Sequence, residues 1–420
     1  MKVALDPDGW VARIFLCFAA TAGIVYVNIM PALVDALQAG LGFSIQEAGR
    51  IGSVNTYGGA LGAFTMAFIA PRLRWRRTLV VLAMALMAFD AGCLPLRGAS
   101  VMMVMRFMHG LFGGAMVGMA FFIIARNQNP RRTFGVLMVL QFALAMGSLA
   151  VLPALVRLTG IEPLFWLLMG FSALTLVFVL LLPEYPPRMI ENAVPDTRMS
   201  GLRLCALAAV LLFQIGNMSV IAFSVSLGQA GGLSLNYVSE SLSASGFAGL
   251  LGGMVAMFMP TRWGFTRPLI ASMLLSAGAL AALSHVSDRT VWLLATLANG
   301  MAWALVISLL LGLCASFDYS GRSAVWSGFM SKLGLATGPL LGSFLLSTPA
   351  RYQALAVSGS VFVCLALLSA LAPALAADRR ASRSPPERAA ASAAVREGPS
   401  QKMKRQSAAG MKNMSLRQKL

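Results

Sequence analysis

The sequence predicts an all-α membrane protein with twelve transmembrane helices in two pseudo-symmetric halves of six, and with both termini in the cytoplasm. Of the 420 residues, 58% are hydrophobic and only 11% are charged, whereas soluble domains are typically ~45–50% apolar. Apolar runs of about 18 residues or more recur along the chain, and each is long enough to cross the hydrocarbon of a bilayer. Basic residues also concentrate in alternate loops, which gives the orientation.

The candidate spans are separated by turn residues and charges. They lie near residues 11–34, 49–70, 78–96, 100–125, 133–156, 162–183, 203–227, 240–259, 268–285, 290–314, 323–346 and 352–376. The first run is longer than a signal-peptide core and is followed by further spans, so we expect it to be a true first helix. The five cysteines are scattered and make no metal-binding spacing, so the sequence predicts neither a metal nor a cofactor.

Two segments lie outside the spans. The stretch from Pro183 to Gly201 holds four prolines and mixed charge, as expected for a linker. This places an N-terminal half at 1–183, a cytoplasmic linker at 184–202 and a C-terminal half at 203–376. Residues 377–420 are rich in Ala, Ser, Pro and Arg, which predicts a disordered basic tail. This tail would lie near lipid headgroups, and we expect no nucleic-acid partner.

Orientation follows from the distribution of Lys and Arg, which favour cytoplasmic loops. With the N-terminus inside, fifteen of these residues fall on the inner side of the spans and five on the outer side. The tail adds eleven more inside. This asymmetry predicts that both termini are cytoplasmic.

The two halves resemble each other at a nearly constant spacing. At an offset of 191 residues, Gln141 aligns with Lys332, Gly58 with Gly249, and several small residues around them also match. Arg131 aligns with Arg322 at the same offset. Because six spans separate the copies, they have the same orientation and are related by an axis along the membrane normal.

The loop after the second span, "AFIAPRLRWRRT", is similar to the G-x-L-x-D-R-x-G-R-R loop of the major facilitator superfamily. Arg72, Arg76 and Arg77 fit the motif, whereas Pro71 replaces its acid. The resemblance covers about residues 10–376 and implies a transporter in which these arginines belong to a gating loop. If an acid-based gating contact matters in this chain, another group must supply it.

Two further motifs resemble the same family, with weak similarity to its drug and metabolite proton-antiporter branch. "RFMHG", with Arg106, His109 and Gly110, is similar to R-x-x-Q-G, whose arginine is linked to proton coupling. "GLATGPLLG" on the eleventh span looks like the G-x-x-x-G-P-x-x-G antiporter motif. That motif normally lies on the fifth span, so here it occupies the symmetry-related helix. Its glycines permit close helix contact wherever it lies.

Lys332 is a charge inside an apolar span. It lies ten residues after Arg322, or about 15 Å along a helix and near the bilayer midplane. No acid is predicted at this depth. One interpretation is a lysine that is neutral, snorkels, or hydrogen-bonds Gln141 or Gln214. The other is a cavity-facing cation that binds an anionic group of a substrate, because transporters bind their cargo near the midplane.

Asp90 and Arg106 are predicted at similar depths on the adjacent third and fourth spans. By helical rise, both lie roughly 9–10 Å below the outer surface. They could form a structural ion pair, or a switch in which Asp90 takes up a proton and releases Arg106. His109 lies one turn from Arg106 and could take part in proton coupling.

Amide side chains in the spans complete the candidate substrate site. Amides are costly in hydrocarbon unless they are partnered or face a cavity. The resemblance implies that spans one, four, seven and ten line such a cavity. The amide candidates are Asn28, Asn217, Asn299, Gln141 and Gln214, with helix packing as the alternative role.

These features predict a transporter and not an enzyme. The chain has no GxxxxGK[ST] nucleotide loop and no GxSxG or HExxH motif. The leading hypothesis is a monomeric, proton-linked secondary transporter of a small organic solute, with an organic anion favoured, in a bacterial inner membrane. Alternatives are an exporter of hydrophobic drugs and, in a different class, a transport-like receptor.

Overall fold

A computed structural model describes residues 5–185, 197–285, 288–317, 321–345 and 351–383. Within these ranges the chain forms fifteen α-helices and two short 3-10 turns, and it contains no strand. The helices are α1 (Trp10–Ala22), α2 (Val25–Asn28), α3 (Met30–Leu41), α4 (Ile45–Ile69), α5 (Trp75–Cys93), α6 (Ala99–Ile124), α7 (Pro130–Thr159), α8 (Glu162–Leu181), α9 (Thr197–Ile221), α10 (Ser224–Ala230), α11 (Leu235–Phe258), α12 (Thr266–Ala282), α13 (Arg289–Ser316), α14 (Arg322–Leu345) and α15 (Arg351–Arg383).

Length and composition fit a membrane protein. Six stretches in the described residues are long and apolar enough to cross a bilayer, and they belong to α6, α8, α9, α11, α13 and α15. Helices α1 and α12 are apolar but shorter. Large apolar side chains such as Leu158, Leu204 and Leu368 are exposed on the outer faces of the bundle, where lipid would cover them. The full count of twelve spans remains a prediction.

The first and seventh candidate spans are interrupted, which the sequence did not predict. Residues 11–34 were expected to form one helix, but α1 ends at Ala22 and a tight turn with Ile24 N–H donating to Thr21 O (2.8 Å) precedes α2. Gly23 lies in this turn against α6, where a Cβ would approach Gly113 O to 2.1 Å. The seventh span likewise breaks between α9 and α10.

The last residues of the predicted linker and the first residues of the predicted disordered tail are helical. Helix α9 begins at Thr197, inside the predicted linker, and α15 continues to Arg383, inside the predicted disordered tail. The reason in α15 is a specific contact. The carboxylate of Asp378 accepts hydrogen bonds from Phe265 N–H (2.7 Å) and Thr266 N–H (3.0 Å) at the start of α12. Residues 186–196 and 384–420 lie outside the described ranges.

Glycines bring α4 and α6 into backbone contact. A Cβ added to Gly62 would lie 1.9 Å from Leu111 O, and one added to Gly58 would lie 2.3 Å from Phe107 O. From the other side, a Cβ on Gly114 would lie 1.9 Å from Gly59 O. No other residue fits at these positions without separating the helices, so α4 and α6 form a tightly packed pair.

The motif on α14 makes the same kind of contact with α9. Added Cβ atoms on Gly334, Gly338 and Gly342 would lie 2.5–2.6 Å from Gln214 Cβ, Met218 Cβ and Ser219 O, respectively. Pro339 lies inside the helix beside these glycines. This packing fixes the rotation of α14 about its axis, and therefore the direction in which Lys332 projects.

Candidate functional site

A cavity of about 630 Å³ lies among α4, α7, α9, α13 and α14. Its size is that of a small-molecule site. Most of its lining is apolar, with side chains such as Phe121, Met138 and Ile307. The side chains with polar groups in the lining, counting the indole N–H of Trp303, are those of Ser53, Thr56, Tyr57, Gln141, Gln214, Trp303, Ser331, Lys332 and Ser343.

Lys332 is the one charged side chain among the described residues that line the cavity. Its side chain is buried, with 6% of the residue surface exposed. The ammonium lies against α4, where a Cβ built on Gly59 would come within 3.2 Å of Nζ. Among the described residues we find no hydrogen bond or ion pair to Nζ. A buried charge without a partner is costly, so this lysine calls for an explanation outside the described protein groups.

Gln214 is held by two other residues. Trp303 donates its indole N–H to Gln214 Oε1 (3.0 Å), and Gln214 Nε2 donates to Ser331 Oγ (2.8 Å). Gln214 is therefore engaged within the lining, where it fixes the ring of Trp303. The interpretation of Lys332 as hydrogen-bonded to Gln214 finds no contact in the structure.

Gln141 lines the same cavity but makes no hydrogen bond with the described residues. Its Nε2 is buried without a partner, and the residue is 7% exposed. An unpaired buried amide costs roughly 1–3 kcal/mol. Gln141 and Lys332 are thus two unsatisfied groups on one cavity, at the aligned positions of the repeat.

Two of the three asparagine candidates, Asn217 and Asn299, lie outside the lining of this cavity. Asn217 is fully buried, and its Nδ2 donates to Phe213 O (3.2 Å) within α9. Asn299 Oδ1 accepts a hydrogen bond from Ser276 on α12 (2.7 Å). Neither lines the cavity, so these contacts favour the helix-packing alternative. The side chain of Asn28 lies outside the described part of the chain.

Asp90 and Arg106 meet in a buried cluster beside the α4–α6 contact. Arg106 Nη1 donates to Asp90 Oδ1 at 2.8 Å, and both side chains are at most 1% exposed. Arg106 Nη2 also donates to Phe89 O (3.3 Å) and Cys93 Sγ (2.9 Å). Asp90 Oδ2 is buried and has no hydrogen-bond partner. The carboxylate therefore retains an unoccupied acceptor inside the bundle.

His109 completes this cluster, in an orientation fixed by Asn55. Asn55 Nδ2 donates a hydrogen bond to the backbone oxygen of Arg106 (2.8 Å), so the NH₂ end of the amide faces α6. The same Nδ2 lies 3.1 Å from His109 Nδ1, so Nδ1 must accept. The proton of a neutral ring is then on Nε2, which lies 3.5 Å from Asp90 Oδ1. Asn55 thereby directs the imidazole N–H toward the carboxylate.

The arginines of the predicted gating loop make few contacts. Arg76 Nη2 donates to Leu182 O (2.5 Å) and pairs with Glu184 (3.2 Å), just beyond α8. Arg72 and Arg77 are exposed and form no hydrogen bond or ion pair with the described residues. The gating role of this loop stays a prediction.

Arginines at the start of α7 bind the end of α11 instead. Arg131 donates to Gly264 O (2.7 Å) and Met259 O (3.1 Å), and Arg132 donates to Met257 O (3.2 Å). The last carbonyls of a helix lack intrahelical partners and carry partial negative charge. These two guanidinium groups therefore cap α11 across the interface between α7 and α11.

An aromatic cluster joins α4 to α14 beyond the cavity. Its ring centroids are 5.1 Å apart for Phe64 and Phe329, and 5.3 Å apart for Phe68 and Trp326. At the opposite end the cavity lining includes the exposed Ser53 and Tyr57 on α4 and Ser343 on α14. The cavity is thus accessible from the end where α4 begins, and the aromatic cluster lies beyond its other end.

Sequence comparison supplies the family. The sequence model of the Major Facilitator Superfamily matches residues 14–331. The chain belongs to the Major Facilitator Superfamily. Members of this superfamily are membrane transporters and not enzymes. This protein is therefore an integral membrane protein for secondary transport of small solutes. No curated protein sequence matches the chain.

Solved structures share the fold of this superfamily member at low sequence identity. The human organic anion transporter MFSD10 (TETRAN) is 17% identical, with a TM-score of 0.66 over 86% of this chain and 97% of that one. The E. coli fucose:proton symporter FucP is 12% identical, with a TM-score of 0.69 over 87% and 98%. The proton:xylose symporter XylE, bound to 6-bromo-6-deoxy-D-glucose, is 14% identical, with a TM-score of 0.63 over 86% and 93%.

Several residues of the site escaped the sequence analysis. Trp303 and Ser331 bind Gln214, and Arg131 and Arg132 cap α11. Asn55 is one of the polar candidates within the spans, but its contact with His109 was not predicted. The repeat spacing was the available signal for Arg131, which aligns with Arg322. For the others only the packing of the helices reveals the partner.

Proposed function

We propose that this protein is a proton-linked secondary transporter of a small organic anion, working by alternating access. The observation that carries the proposal is the buried ammonium of Lys332, which lines a largely apolar cavity and lacks a partner among the described residues. A substrate anion would supply that partner. MFSD10, which shares the fold, is an organic anion transporter, and this agrees with the proposed substrate class.

Helix packing supports two halves of six spans, at 1–183 and 203–376. Helix α4 packs on α6 and α5 on α8, and α11 packs on α13 and α12 on α15 in the same relation. Between the halves, α7 packs on α11 as α14 packs on α4. Counting α1–α3 and α9–α10 as one span each gives twelve. The distribution of basic residues supports cytoplasmic termini in a bacterial inner membrane, so the cavity would face outward.

The cluster of Asp90, Arg106 and His109 is our candidate for proton coupling. Protonation of Asp90 would weaken its bond to Arg106, and the free Oδ2 gives the proton a place to bind. FucP and XylE are described as proton symporters, which agrees with a proton link.

A second candidate function is export of hydrophobic drugs, favoured by the apolar and aromatic lining. The two functions differ in the role of Lys332. An anion transporter needs the ammonium for binding, whereas a drug exporter would retain affinity for neutral compounds without it.

Purified protein in one detergent tests these proposals, with organic acids and their matched neutral amides screened by thermal shift. We expect stabilisation by acids in wild type and its loss in Lys332→Gln, while Ser243→Ala, which changes an exposed hydroxyl on α11 outside the cavity, keeps it. Equal stabilisation by acids and amides in both proteins would refute the anion site. Counterflow in proteoliposomes then separates a carrier from a receptor, and imposed pH gradients test the proton link.

A further inference from the structure

The substrate cavity holds two donors that the protein leaves unsatisfied, one from each half. Lys332 lies on α14 and Gln141 on α7. They occupy the aligned positions of the repeat, and both line the one cavity. Rotation of the Gln141 amide about its last torsion costs no described hydrogen bond, because the amide makes none. It can therefore present its NH₂ to a ligand.

The charge of the cavity limits the charge of the ligand. Among the described lining residues, Lys332 brings one positive charge and the rest are apolar or neutral. One anionic group is compensated by the ammonium, but a second would be desolvated against apolar side chains without a counter-charge. Phosphate monoesters carry nearly two charges at neutral pH, so they do not fit this balance.

The lining also presents a preorganised apolar surface to the apolar part of a ligand. The Trp303 ring is fixed by its bond to Gln214 and by an edge contact with Phe142, with centroids 5.8 Å apart. Phe121, Met138 and Met218 complete the apolar wall. A ring held before the ligand arrives loses little freedom on binding, which favours affinity.

We propose that the transported species is a singly charged organic anion with an aromatic or bulky apolar body, whose anionic group is held at once by Lys332 Nζ and the Gln141 amide. The proposal rests on the anion-transport function above and specifies its substrate class. Because the two donors belong to opposite halves, the bound anion connects the halves at the point where they meet.

The test measures calorimetric binding of 2-naphthoate, 2-naphthamide and naphthalene-2,6-dicarboxylate to purified full-length protein. For 2-naphthoate we expect affinity to fall about 10-fold to 100-fold in Lys332→Gln, the range of hydrogen bonds to charged groups, and less in Gln141→Leu. The double variant should lose less than the product of the single losses, because both donors hold one group. Naphthamide should bind the wild type and Lys332→Gln equally, and the dicarboxylate should bind at least about 10-fold more weakly than naphthoate.

Two further variants sharpen the result. Gln141→Glu adds a carboxylate to the cavity that Lys332 lines, so it should reduce naphthoate binding more than Gln141→Leu does. Ser243→Ala, which changes an exposed hydroxyl on α11 outside the cavity, is the matched control and should bind like wild type. Lys332→Gln, Gln141→Leu and Ser243→Ala should leave the thermal unfolding temperature near that of wild type, because none of them removes a partnered buried group.

The outcomes separate the two proposals. If Lys332→Gln loses naphthoate binding but Gln141→Leu does not, the proposal that both residues bind the anionic group is wrong, and anion binding by Lys332 stands. If the dicarboxylate binds as tightly as naphthoate, the single-charge rule is wrong. If naphthoate at millimolar concentration does not bind the wild type, or binds no better than the amide, both the substrate class and the anion-transport function are refuted.

Discussion

Replacing Asp90 by asparagine should destabilise the protein more than any other single change in the charge cluster. The variant removes the carboxylate that Arg106 contacts at 2.8 Å, at a site where both side chains are fully buried. Arg106 would keep Phe89 O and Cys93 Sγ as acceptors, and its guanidinium would still lie over the rings of Tyr26 and Phe165. None of these carries a compensating full charge.

The magnitude follows from those remaining contacts. Breaking a buried ion pair costs ~3–5 kcal/mol, and the retained acceptors and rings place Asp90→Asn near the lower end of that range. Arg106→Gln should cost less, because Asp90 would keep His109, 3.5 Å away, as a group that can become positively charged. The double variant Asp90→Asn/Arg106→Gln removes both charges and should lie close to wild type.

The assay is the free energy of unfolding in mixed micelles, measured by detergent titration for wild type, both single variants and the double variant. The double-mutant cycle should give a coupling energy of about 2 kcal/mol or more. Additivity within about 0.5 kcal/mol would mean that the pair does not act as a unit. If the double variant folds and transports but ignores a pH gradient, the pair couples protons; if it still responds, the pair is structural.

Three other changes test neighbouring features. Asn55→Leu removes the group that orients His109, so nitrogen NMR should show the ring proton distributed over both nitrogens; an unchanged spectrum would exclude this role. Arg131→Gln combined with Arg132→Gln removes three hydrogen bonds, two to the end of α11 and one to the loop before α12, each worth about 1.5–3 kcal/mol. It should raise labelling of a cysteine placed at Phe68, whereas Arg77→Gln, which removes no described hydrogen bond, should not. A reporter fused after Leu420 should read cytoplasmic and one inserted near Ala39 should read outside; the reverse would overturn the topology.

Much of the fold follows from hydropathy, because apolar runs of bilayer length have few alternatives to helix. The breaks in the first and seventh spans do not follow from it. The turn at Gly23 exists because α1 and α6 approach closely, and that contact involves residues about ninety positions apart. The helical start of the tail depends in the same way on Asp378 meeting the beginning of α12.

The candidate site, like the fold, could be predicted from the sequence only in part. The meeting of Asp90 with Arg106 could be predicted because adjacent antiparallel helices and a fixed rise per residue give the depths directly. The attachment of Gln214 to Trp303 and Ser331 depends on how α9, α13 and α14 are rotated about their axes, which the apolar pattern of these spans leaves undetermined. Arg131 and Arg132 appeared as inner-side charges, and Arg131 also in the repeat alignment, but their contacts with the end of α11 depend on how α7 and α11 pack.

The tight contact between α4 and α6 has a consequence for communication within the protein. Asn55 contacts Arg106 and His109 of the charge cluster. Gly59, one helical turn later, faces Lys332, since a Cβ built on it would lie 3.2 Å from Nζ. Because the intervening backbone is pressed against α6 without space for a methyl group, this turn cannot absorb a displacement by repacking. A shift of α6 at Arg106 would therefore move Gly59 as well, and a single rigid turn would connect the proposed proton cluster to the proposed anion site.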